Sequence, residues 1–186
     1  MRIGIDVDDT IVKTWSSFMP ILSEKYNIPL DKIKKSEPYY DAVKDIVTME
    51  EYIDMVKKSG HLSKELELRP YVKEVLTKLK EEGNTIIFIT ARDDNMYDDS
   101  YLITKEYLDR HKIPYDKIIV NAYDKGRICK EEKIDLFIDD NIKNCQSVYN
   151  ERISVVLMET IFNKDNKEFI RMKDWKQIYN YINNRW

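Results

Sequence analysis

Acidic side chains follow an apolar stretch at the very start of the chain, in the segment Ile3-Gly4-Ile5-Asp6-Val7-Asp8-Asp9-Thr10. Three carboxylates within four positions repel one another, so such a group is stable only beside a cation or a bound substrate. In open α/β sheets, ligands bind beyond the carboxyl ends of the strands. The segment therefore predicts a phosphoryl-transfer site at the end of the first strand.

Phosphomonoester transfer can use two carboxylates with different tasks. One attacks phosphorus to form an acyl phosphate, and the other protonates the leaving alcohol and then activates water. We interpret Asp6 as the nucleophile and first metal ligand. Asp8 is the candidate general acid/base, because two residues along an extended segment place their side chains on the same side.

The remaining parts of such a site come from later in the chain. Asp139 and Asp140 follow another apolar run, and with Asp6 they would hold one Mg²⁺, which prefers oxygen ligands. Thr90 ends a further strand and offers a hydroxyl and a backbone N–H to the phosphate. Lys125 begins a helix, where its ammonium and the helix N-terminus would both favour an anion.

Short apolar runs alternate with helical patterns through most of the chain. The predicted strands after the first cover residues 85–90, 117–120, 134–138 and 153–158. The predicted helices between and after them begin at Pro70, Asp99, Lys125, Asn141 and Asp174. This alternation indicates a three-layer, Rossmann-like α/β fold with a mostly parallel central sheet, whose strand ends converge at one edge.

Residues 13–66 interrupt this alternation with helical patterns and no obvious strand. Thr14 is expected to cap the first of these helices, and Thr48 opens the second with a capping-box pattern. We therefore predict a small helical cap at residues 13–66. Residues 1–12 and 67–186 would form the core.

Several side chains near the predicted site are candidates for substrate contacts. Trp15, Tyr39 and Tyr40 could stack on a nucleobase. Arg92 follows Thr90 closely and could reach a phosphate or a ribose. The alternative for Arg92 is a salt bridge with the neighbouring pair Asp93-Asp94 or with a carboxylate of the insert.

The composition narrows the class of partner. There are 31 basic and 34 acidic residues, a net charge of −3, so no basic field indicates nucleic acid. No apolar run approaches the roughly 20 residues of a membrane span.

Cys129 and Cys145 lack metal-site spacing and are expected to pack as reduced, apolar side chains. Since Met1 lies next to the first strand, we expect no signal peptide and a cytoplasmic enzyme acting on a small phosphate monoester.

The order of these motifs resembles the haloacid dehalogenase (HAD) superfamily of aspartate-nucleophile phosphatases. Within it, the chain is most similar to the small 5′(3′)-deoxyribonucleotidase-like nucleotidases, and the resemblance covers nearly the whole chain. The supporting segments are Asp-Val-Asp-Asp-Thr at 6–10, Ile-Thr-Ala-Arg at 89–92, Asp-Lys at 124–125 and Asp-Leu-Phe-Ile-Asp-Asp at 135–140.

The resemblance implies a division of labour at the site. Asp6 would be the nucleophile and Asp8 the acid/base. Mg²⁺ would be held by the Asp6 carboxylate, the main-chain carbonyl of Asp8 and a carboxylate of the last motif, more often Asp140 than Asp139.

The resemblance also assigns phosphate binding to Thr90 and Lys125, and it makes the helical insert a cap that chooses the substrate. One residue departs from the pattern, because many members have glycine where this chain has Asp9. The sequence assigns no role to this extra carboxylate, which could alter the affinity for metal.

Three other functions compete with a nucleotidase. A HAD phosphatase for a sugar phosphate or another small metabolite would use the same motifs. A receiver domain also combines an acidic pair, Thr and Lys, but in that class the acidic pair does not come last and no insert follows the first strand. A non-catalytic phosphate-binding module on this fold would have no need of the complete set of motifs.

Overall fold

The computed structural model describes residues 1–30, 39–58 and 66–185, apart from the side chains of Tyr39 and Ala42. The strands are β1 (Arg2–Ile5), β2 (Thr85–Ile89), β3 (Lys117–Ile119), β4 (Leu136–Asp139), β5 (Ser154–Met158) and β6 (Arg171–Met172). The helices are α1 (Thr14–Tyr26), α2 (Met49–Lys58), α3 (Val72–Glu81), α4 (Ser100–His111), α5 (Lys125–Glu131), α6 (Ile142–Asn150) and α7 (Trp175–Arg185). A 3₁₀ turn covers Tyr39–Ala42.

The six strands form one parallel sheet in the order β3-β2-β1-β4-β5-β6. Ile5 at the end of β1 lies opposite Phe88 of β2 and Ile138 of β4, so these three strands end at the same level. The predicted parallel α/β fold is confirmed. The edge strand β6 was not predicted, because two residues are too short to show a hydrophobic pattern.

Helices cover both faces of the sheet and bury two separate clusters of apolar side chains. On one face, α3, α4 and α7 contribute Val72, Leu76, Tyr107 and Trp175, among others. On the other face, α5 and α6 contribute Cys129, Cys145 and Val148. Both cysteines are free and buried, as predicted from their spacing. These two layers of helices explain why the strands are apolar on both sides.

The described part of residues 13–66 supplies the buried side chains of a third apolar cluster, which come from α1, α2 and the segment before α2. Met96 and Tyr97 of the loop after β2 also pack against it. The predicted capping box at the start of α2 is confirmed, since Glu51 N donates to Thr48 Oγ1 and Thr48 N donates to Glu51 Oε2. The chain segments that lead into and out of residues 13–66 run side by side, with a β-bridge between Val12 and Leu68. This pairing places the cluster beside the end of β1.

Two helix boundaries differ from the predicted ones for backbone reasons. Helix α3 begins at Val72 and not at Pro70, because Tyr71 adopts a left-handed conformation with φ of 69°. Helix α5 ends at Glu131, whereas the sequence pattern predicts an end at about Lys133, and Lys133 has φ of 53°. Within the described ranges, no helix has both the length and the apolar character needed to cross a membrane.

Candidate active site

Three carboxylates meet at the carboxyl edge of the sheet. Strands β1 and β4 are parallel neighbours, so Asp6 and Asp139, which follow Ile5 and Ile138, lie next to each other. Asp140 is the next residue along the chain. Each of the three acids offers an oxygen within 4.8 Å of the others, and all three side chains are buried. The convergence predicted from the strand ends is therefore present.

The ammonium of Lys125 lies between two of these carboxylates. Its Nζ donates to Asp6 Oδ1 at 2.5 Å and to Asp139 Oδ2 at 2.7 Å. Burial raises the pKa of Asp6, and the positive charge of Lys125 opposes this increase. Burial alone would lower the pKa of Lys125, but the carboxylates of Asp139 and Asp6 hold it above its ordinary value. The ammonium of Lys125 therefore stabilises the buried carboxylates of Asp6 and Asp139.

Lys125 is placed by a close contact between helices α5 and α6. The next residue is Gly126, and a Cβ there would lie 2.5 Å from Ser147 Oγ and 2.6 Å from Ser147 O. Gly126 N also donates to Ser147 Oγ at 3.2 Å. Only glycine permits this approach, which brings the start of α5 against the sheet edge. Asp124 caps α5 by accepting from Arg127 N, so a backbone N–H at the start of this helix already has an acceptor. The contribution of Lys125 to the site is therefore its ammonium.

Asp139 is held by donors other than Lys125. Its Oδ1 accepts from Asn141 N at 2.7 Å, and its Oδ2 accepts from Asn144 Nδ2 at 3.0 Å. Asn141 immediately precedes α6, and Asn144 lies in the first turn of that helix. Asp139 therefore anchors both Lys125 and the beginning of α6.

Asp140 is positioned from two distant parts of the chain. Thr10 Oγ1 donates to Asp140 Oδ1 at 3.1 Å. Asn163 Nδ2 donates to the main-chain oxygens of Asp140 and Met158, each at 2.8 Å. Thr10 thus connects the first motif to the last one, a role that its position in the sequence did not indicate.

Asp8 forms a bidentate ion pair with Arg92. Arg92 Nε donates to Oδ2 and Nη2 donates to Oδ1, each at 2.8 Å, and Thr14 Oγ1 donates to Oδ1 at 2.7 Å. Burial alone would raise the pKa of Asp8, but the Arg92 guanidinium and these hydrogen bonds lower it below its ordinary value. The predicted alternatives for Arg92 did not include this partner, which lies 84 positions away in the sequence.

Thr14 was expected to cap α1, and this prediction is wrong. Thr14 is the first residue of the helix, and its hydroxyl binds Asp8. The backbone N–H of Trp15 donates to the carboxylate of Asp9 instead. Asp9 has φ of 53°, a left-handed conformation that glycine adopts freely and that Asp tolerates. Asp9 therefore holds the start of α1, and its backbone conformation is one that the glycine expected from the family resemblance would also adopt.

Thr90 lies at the end of β2 with a buried side chain. Its backbone N–H donates to Ile119 O, so the hydroxyl is its remaining polar group toward the site. Thr90 Oγ1 accepts from Arg92 N at 3.2 Å and keeps its own proton for another acceptor. The expectation that both groups of Thr90 would face a phosphate is therefore wrong for the N–H.

These polar side chains form the floor of a pocket of about 410 Å³. Its floor includes Asp6, Asp8, Thr90, Lys125, Asp139 and Asp140. Its walls are mostly apolar and come largely from the insert and the loop after β2: Phe18, Tyr40, Met49, Tyr52, Val56, Leu66, Met96 and Tyr97. A polar floor under apolar walls is typical of a small-molecule site.

The predicted aromatic contacts divide between this pocket and other places. Tyr40 lines the pocket, and its hydroxyl donates to Val47 O at 3.3 Å. Trp15 is not among the lining residues and packs edge-on against Phe162, with ring centroids 4.9 Å apart. The side chain of Tyr39 lies outside the described residues. The role of Trp15 in stacking on a base is therefore not supported by its position.

Sequence reasoning did not identify Phe18, Tyr52, Val56 or Tyr97 as pocket residues. Tyr52 and Val56 are four positions apart on α2, which is the spacing of an ordinary buried stripe. A stripe that packs inside a core and one that lines a cavity have the same periodicity. No signal in the sequence separates these two cases.

Two other lysines of this part of the fold pair with glutamates outside the pocket. Lys117 pairs with Glu132 and Lys130 pairs with Glu151, each on the surface. Lys125 is therefore the lysine, among the described residues lining the pocket, that reaches the carboxylates.

Comparison with known proteins identifies related chains. The model of the family described as 5′ nucleotidase, deoxy (pyrimidine), cytosolic type C protein (NT5C) matches residues 1–185. "Putative nucleotidase YqfW" of Bacillus subtilis is 33% identical over 190 residues, which cover 99% of this chain and 94% of that protein. A nucleotidase of Clostridium acetobutylicum is 29% identical over 186 residues, covering 98% of this chain and 93% of its own.

Solved structures share the fold at much lower identity. The magnesium-bound crystal structure of "putative HAD-hydrolase YfnB" from Bacillus subtilis superposes with a TM-score of 0.64 at 14% identity. The match covers 98% of both chains. Together with the family match over nearly the whole chain, this confirms the resemblance on which the motifs were interpreted.

Proposed function

The chain belongs to the NT5C family of HAD-type phosphatases, and we propose that it hydrolyses nucleoside monophosphates through an aspartyl phosphate on Asp6, with Mg²⁺ bound. The observation that carries the proposal is the position of Asp6 on the pocket floor. It lies within reach of Lys125 and beside two further carboxylates. This set combines a nucleophile, a cation for the phosphoryl oxygens and a group of metal ligands.

The donor set fits a hard divalent cation. Asp6, Asp139 and Asp140 offer only carboxylate oxygens within 4.8 Å of one another, which suits Mg²⁺. Asp139 already accepts from Lys125, Asn141 and Asn144. We therefore propose Asp6 and Asp140 as direct ligands, with the Asp8 carbonyl, and Asp139 as the anchor of Lys125.

When bound, the metal supplies positive charge that lets a phosphate dianion approach a carboxylate. The chain's own residues do the rest of the chemistry. The Asp6 carboxylate attacks phosphorus as the bond to the leaving oxygen breaks, and Asp8 gives that oxygen a proton. Water then attacks the phosphorus of the aspartyl phosphate and gives a proton to Asp8, which releases inorganic phosphate and regenerates Asp6.

Lys125 and Thr90 are proposed to bind the phosphoryl oxygens on which charge accumulates in the transition state. Both side chains are buried on the pocket floor, Lys125 at 2% exposure and Thr90 at 1%. Donors that are fixed before the substrate arrives need little reorganisation during the reaction.

The substrate proposal depends on the pocket walls and on the family. Phe18, Tyr40 and Tyr52 present aromatic surface above the polar floor, and a nucleobase would lie against it while its phosphate reaches Asp6. The relatives named above are nucleotidases, which favours nucleotides over sugar phosphates. Residues 13–66 would then act as the cap that selects the substrate. The cytoplasmic location stays a prediction from the sequence.

The test is a panel of phosphate monoesters assayed with Mg²⁺ and compared by kcat/KM. It should include nucleoside 5′- and 3′-monophosphates, hexose phosphates and para-nitrophenyl phosphate. We expect the highest values with nucleoside monophosphates and no turnover by Asp6→Asn. The matched control is Asp109→Asn, which removes an exposed carboxylate paired with Lys105 and should retain activity. Equal turnover by Asp6→Asn and the wild type would refute the mechanism, and a flat panel would refute the substrate class.

A further inference from the structure

We infer that Arg92 is the positioning residue for the acid/base Asp8, and that Asp8 exchanges its proton through Oδ2. This inference rests on the proposed phosphatase mechanism. It assigns to Arg92 neither a contact with phosphate nor a salt bridge to Asp93 or Asp94, the alternatives open from the sequence.

The hydrogen bonds to the two oxygens of Asp8 are unequal. Oδ1 accepts from Arg92 Nη2 at 2.8 Å and from Thr14 Oγ1 at 2.7 Å. Oδ2 accepts from Arg92 Nε at 2.8 Å. Each carboxylate oxygen can accept about two hydrogen bonds, so these donors occupy Oδ1 fully and leave one acceptor position on Oδ2. Asp8 lines the pocket, so Oδ2 is the oxygen that can meet the leaving group or a water molecule.

Arg92 is itself held in a fixed orientation. Its side chain is 1% exposed, and its guanidinium lies over the ring of Tyr97 at 5.7 Å. Its backbone N–H donates to Thr90 Oγ1, and its carbonyl accepts from Asn121 N at 2.8 Å. A planar guanidinium held in this way presents two parallel N–H groups to a carboxylate and fixes the carboxylate plane.

The bidentate edge of the guanidinium is already occupied by Asp8, so Arg92 does not offer that edge to a substrate phosphate. Its Nε–Nη2 edge faces Asp8, while Nη1 is buried and has no hydrogen-bond partner among the described residues. A buried N–H without an acceptor costs stability, and a residue selected for folding alone would not be expected to retain it. The cost is instead consistent with a guanidinium whose placement serves Asp8.

In both halves of the reaction, Oδ2 of Asp8 is the atom that gives or takes the proton. In the first, Asp6 forms a bond to phosphorus, the bond from phosphorus to the ester oxygen breaks, and that oxygen takes the proton from Oδ2 of Asp8 to leave as an alcohol. In the second, water bonds to phosphorus and gives one proton to Oδ2, and the electrons of the bond between phosphorus and Asp6 return to the Asp6 carboxylate. If Arg92 is lost, the carboxyl group can rotate and Oδ2 is no longer aimed at either oxygen.

The experiment compares two substrates with different needs for that proton. The para-nitrophenolate of para-nitrophenyl phosphate is a good leaving group without protonation, whereas the alkoxide of a nucleoside 5′-monophosphate is not. Positioned acid catalysis contributes about 10²- to 10⁴-fold. We expect Arg92→Met to lower kcat/KM by about 100-fold for the nucleotide and by less than about 10-fold for the aryl ester, because only the first substrate needs the acid.

Two further variants keep the test decisive if Arg92→Met fails to fold. Arg92→Lys retains the charge without the bidentate fork and should show the same selective loss. Thr14→Val removes one donor from Oδ1 and should show a smaller loss of the same kind. The matched control, Lys80→Met, removes an ion pair with Asp116 away from the pocket and should leave the ratio of the two kcat/KM values unchanged.

The outcomes separate the inference from the function on which it rests. If the Arg92 variants lose activity equally on both substrates, or on neither, the positioning role is wrong even though the phosphatase is real. If the wild type hydrolyses neither substrate, the proposed function fails and the inference fails with it.

Discussion

The ammonium of Lys125 lies 2.5 Å from Oδ1 of Asp6, although 119 residues separate the two in the sequence. Both side chains are more than nine-tenths buried. Asp139 accepts from the same ammonium at 2.7 Å. One cation therefore stabilises two buried carboxylates at the carboxyl edge of the sheet.

Removing this cation should cost stability. Lys125→Met leaves Asp6 and Asp139 buried without their positive partner, and breaking a buried pair in this way typically costs about 3 to 5 kcal/mol. We expect a loss of that order in the free energy of unfolding, measured by urea denaturation in EDTA. Magnesium should restore part of it by supplying positive charge. Lys80→Met removes a more exposed ion pair with Asp116 and should cost much less. Similar losses in the two variants would contradict the structural role of Lys125.

Magnesium should stabilise the wild-type protein through Asp6 and Asp140. A ligand at 100 times its dissociation constant adds about 2.7 kcal/mol to the free energy of unfolding. For a chain of this size that corresponds to a rise in Tm of about 5 to 10 °C. Asp140→Asn should abolish most of the rise, whereas Asp109→Asn should retain it. An undiminished rise in Asp140→Asn, followed by differential scanning calorimetry, would rule out Asp140 as a ligand.

Gly126 should not tolerate a side chain. A Cβ there would lie 2.5 Å from Ser147 Oγ and 2.6 Å from Ser147 O, so Gly126→Ala must push α5 away from α6. We expect a loss of about 1 to 3 kcal/mol in the free energy of unfolding and a lower kcat as Lys125 moves. Ser147→Ala should not rescue this variant, because the backbone oxygen remains in the way. The single variant Ser147→Ala serves as the control. If the double variant Gly126→Ala/Ser147→Ala recovered the full stability of that control, only the hydroxyl of Ser147 would clash.

Asp9 should contribute to stability and not to the binding of metal. Its carboxylate accepts from Trp15 N at the start of α1, and its φ of 53° is acceptable to Asp, Asn and Gly. We expect Asp9→Asn to be nearly neutral. Asp9→Ala should lower the free energy of unfolding by about 1 to 2 kcal/mol, because it loses the acceptor and strains the backbone. The magnesium midpoint of Asp9→Asn, measured by titration calorimetry, should equal that of the wild type. A marked shift would give Asp9 a role at the metal site.

The strand ends were the most predictable part of the molecule. Apolar runs such as Thr85–Ile89 can be recognised without knowledge of their neighbours, because a strand buried on both faces excludes polar residues along its length. The helix partners of the site were less predictable. Thr14 has the residue type of a cap, and nothing local indicates that its hydroxyl binds Asp8 while Asp9 caps the helix.

The sequence by itself determined that Asp6, Thr90 and Asp139 would lie at one edge of a parallel sheet. Parallel strands joined by helices end on the same side, so the order of the elements is sufficient for that conclusion. Tertiary structure decided the pairing of Arg92 with Asp8 and of Thr10 with Asp140. Such contacts depend on strand register and on the directions of side chains that are distant in sequence, and periodicity carries no information about either.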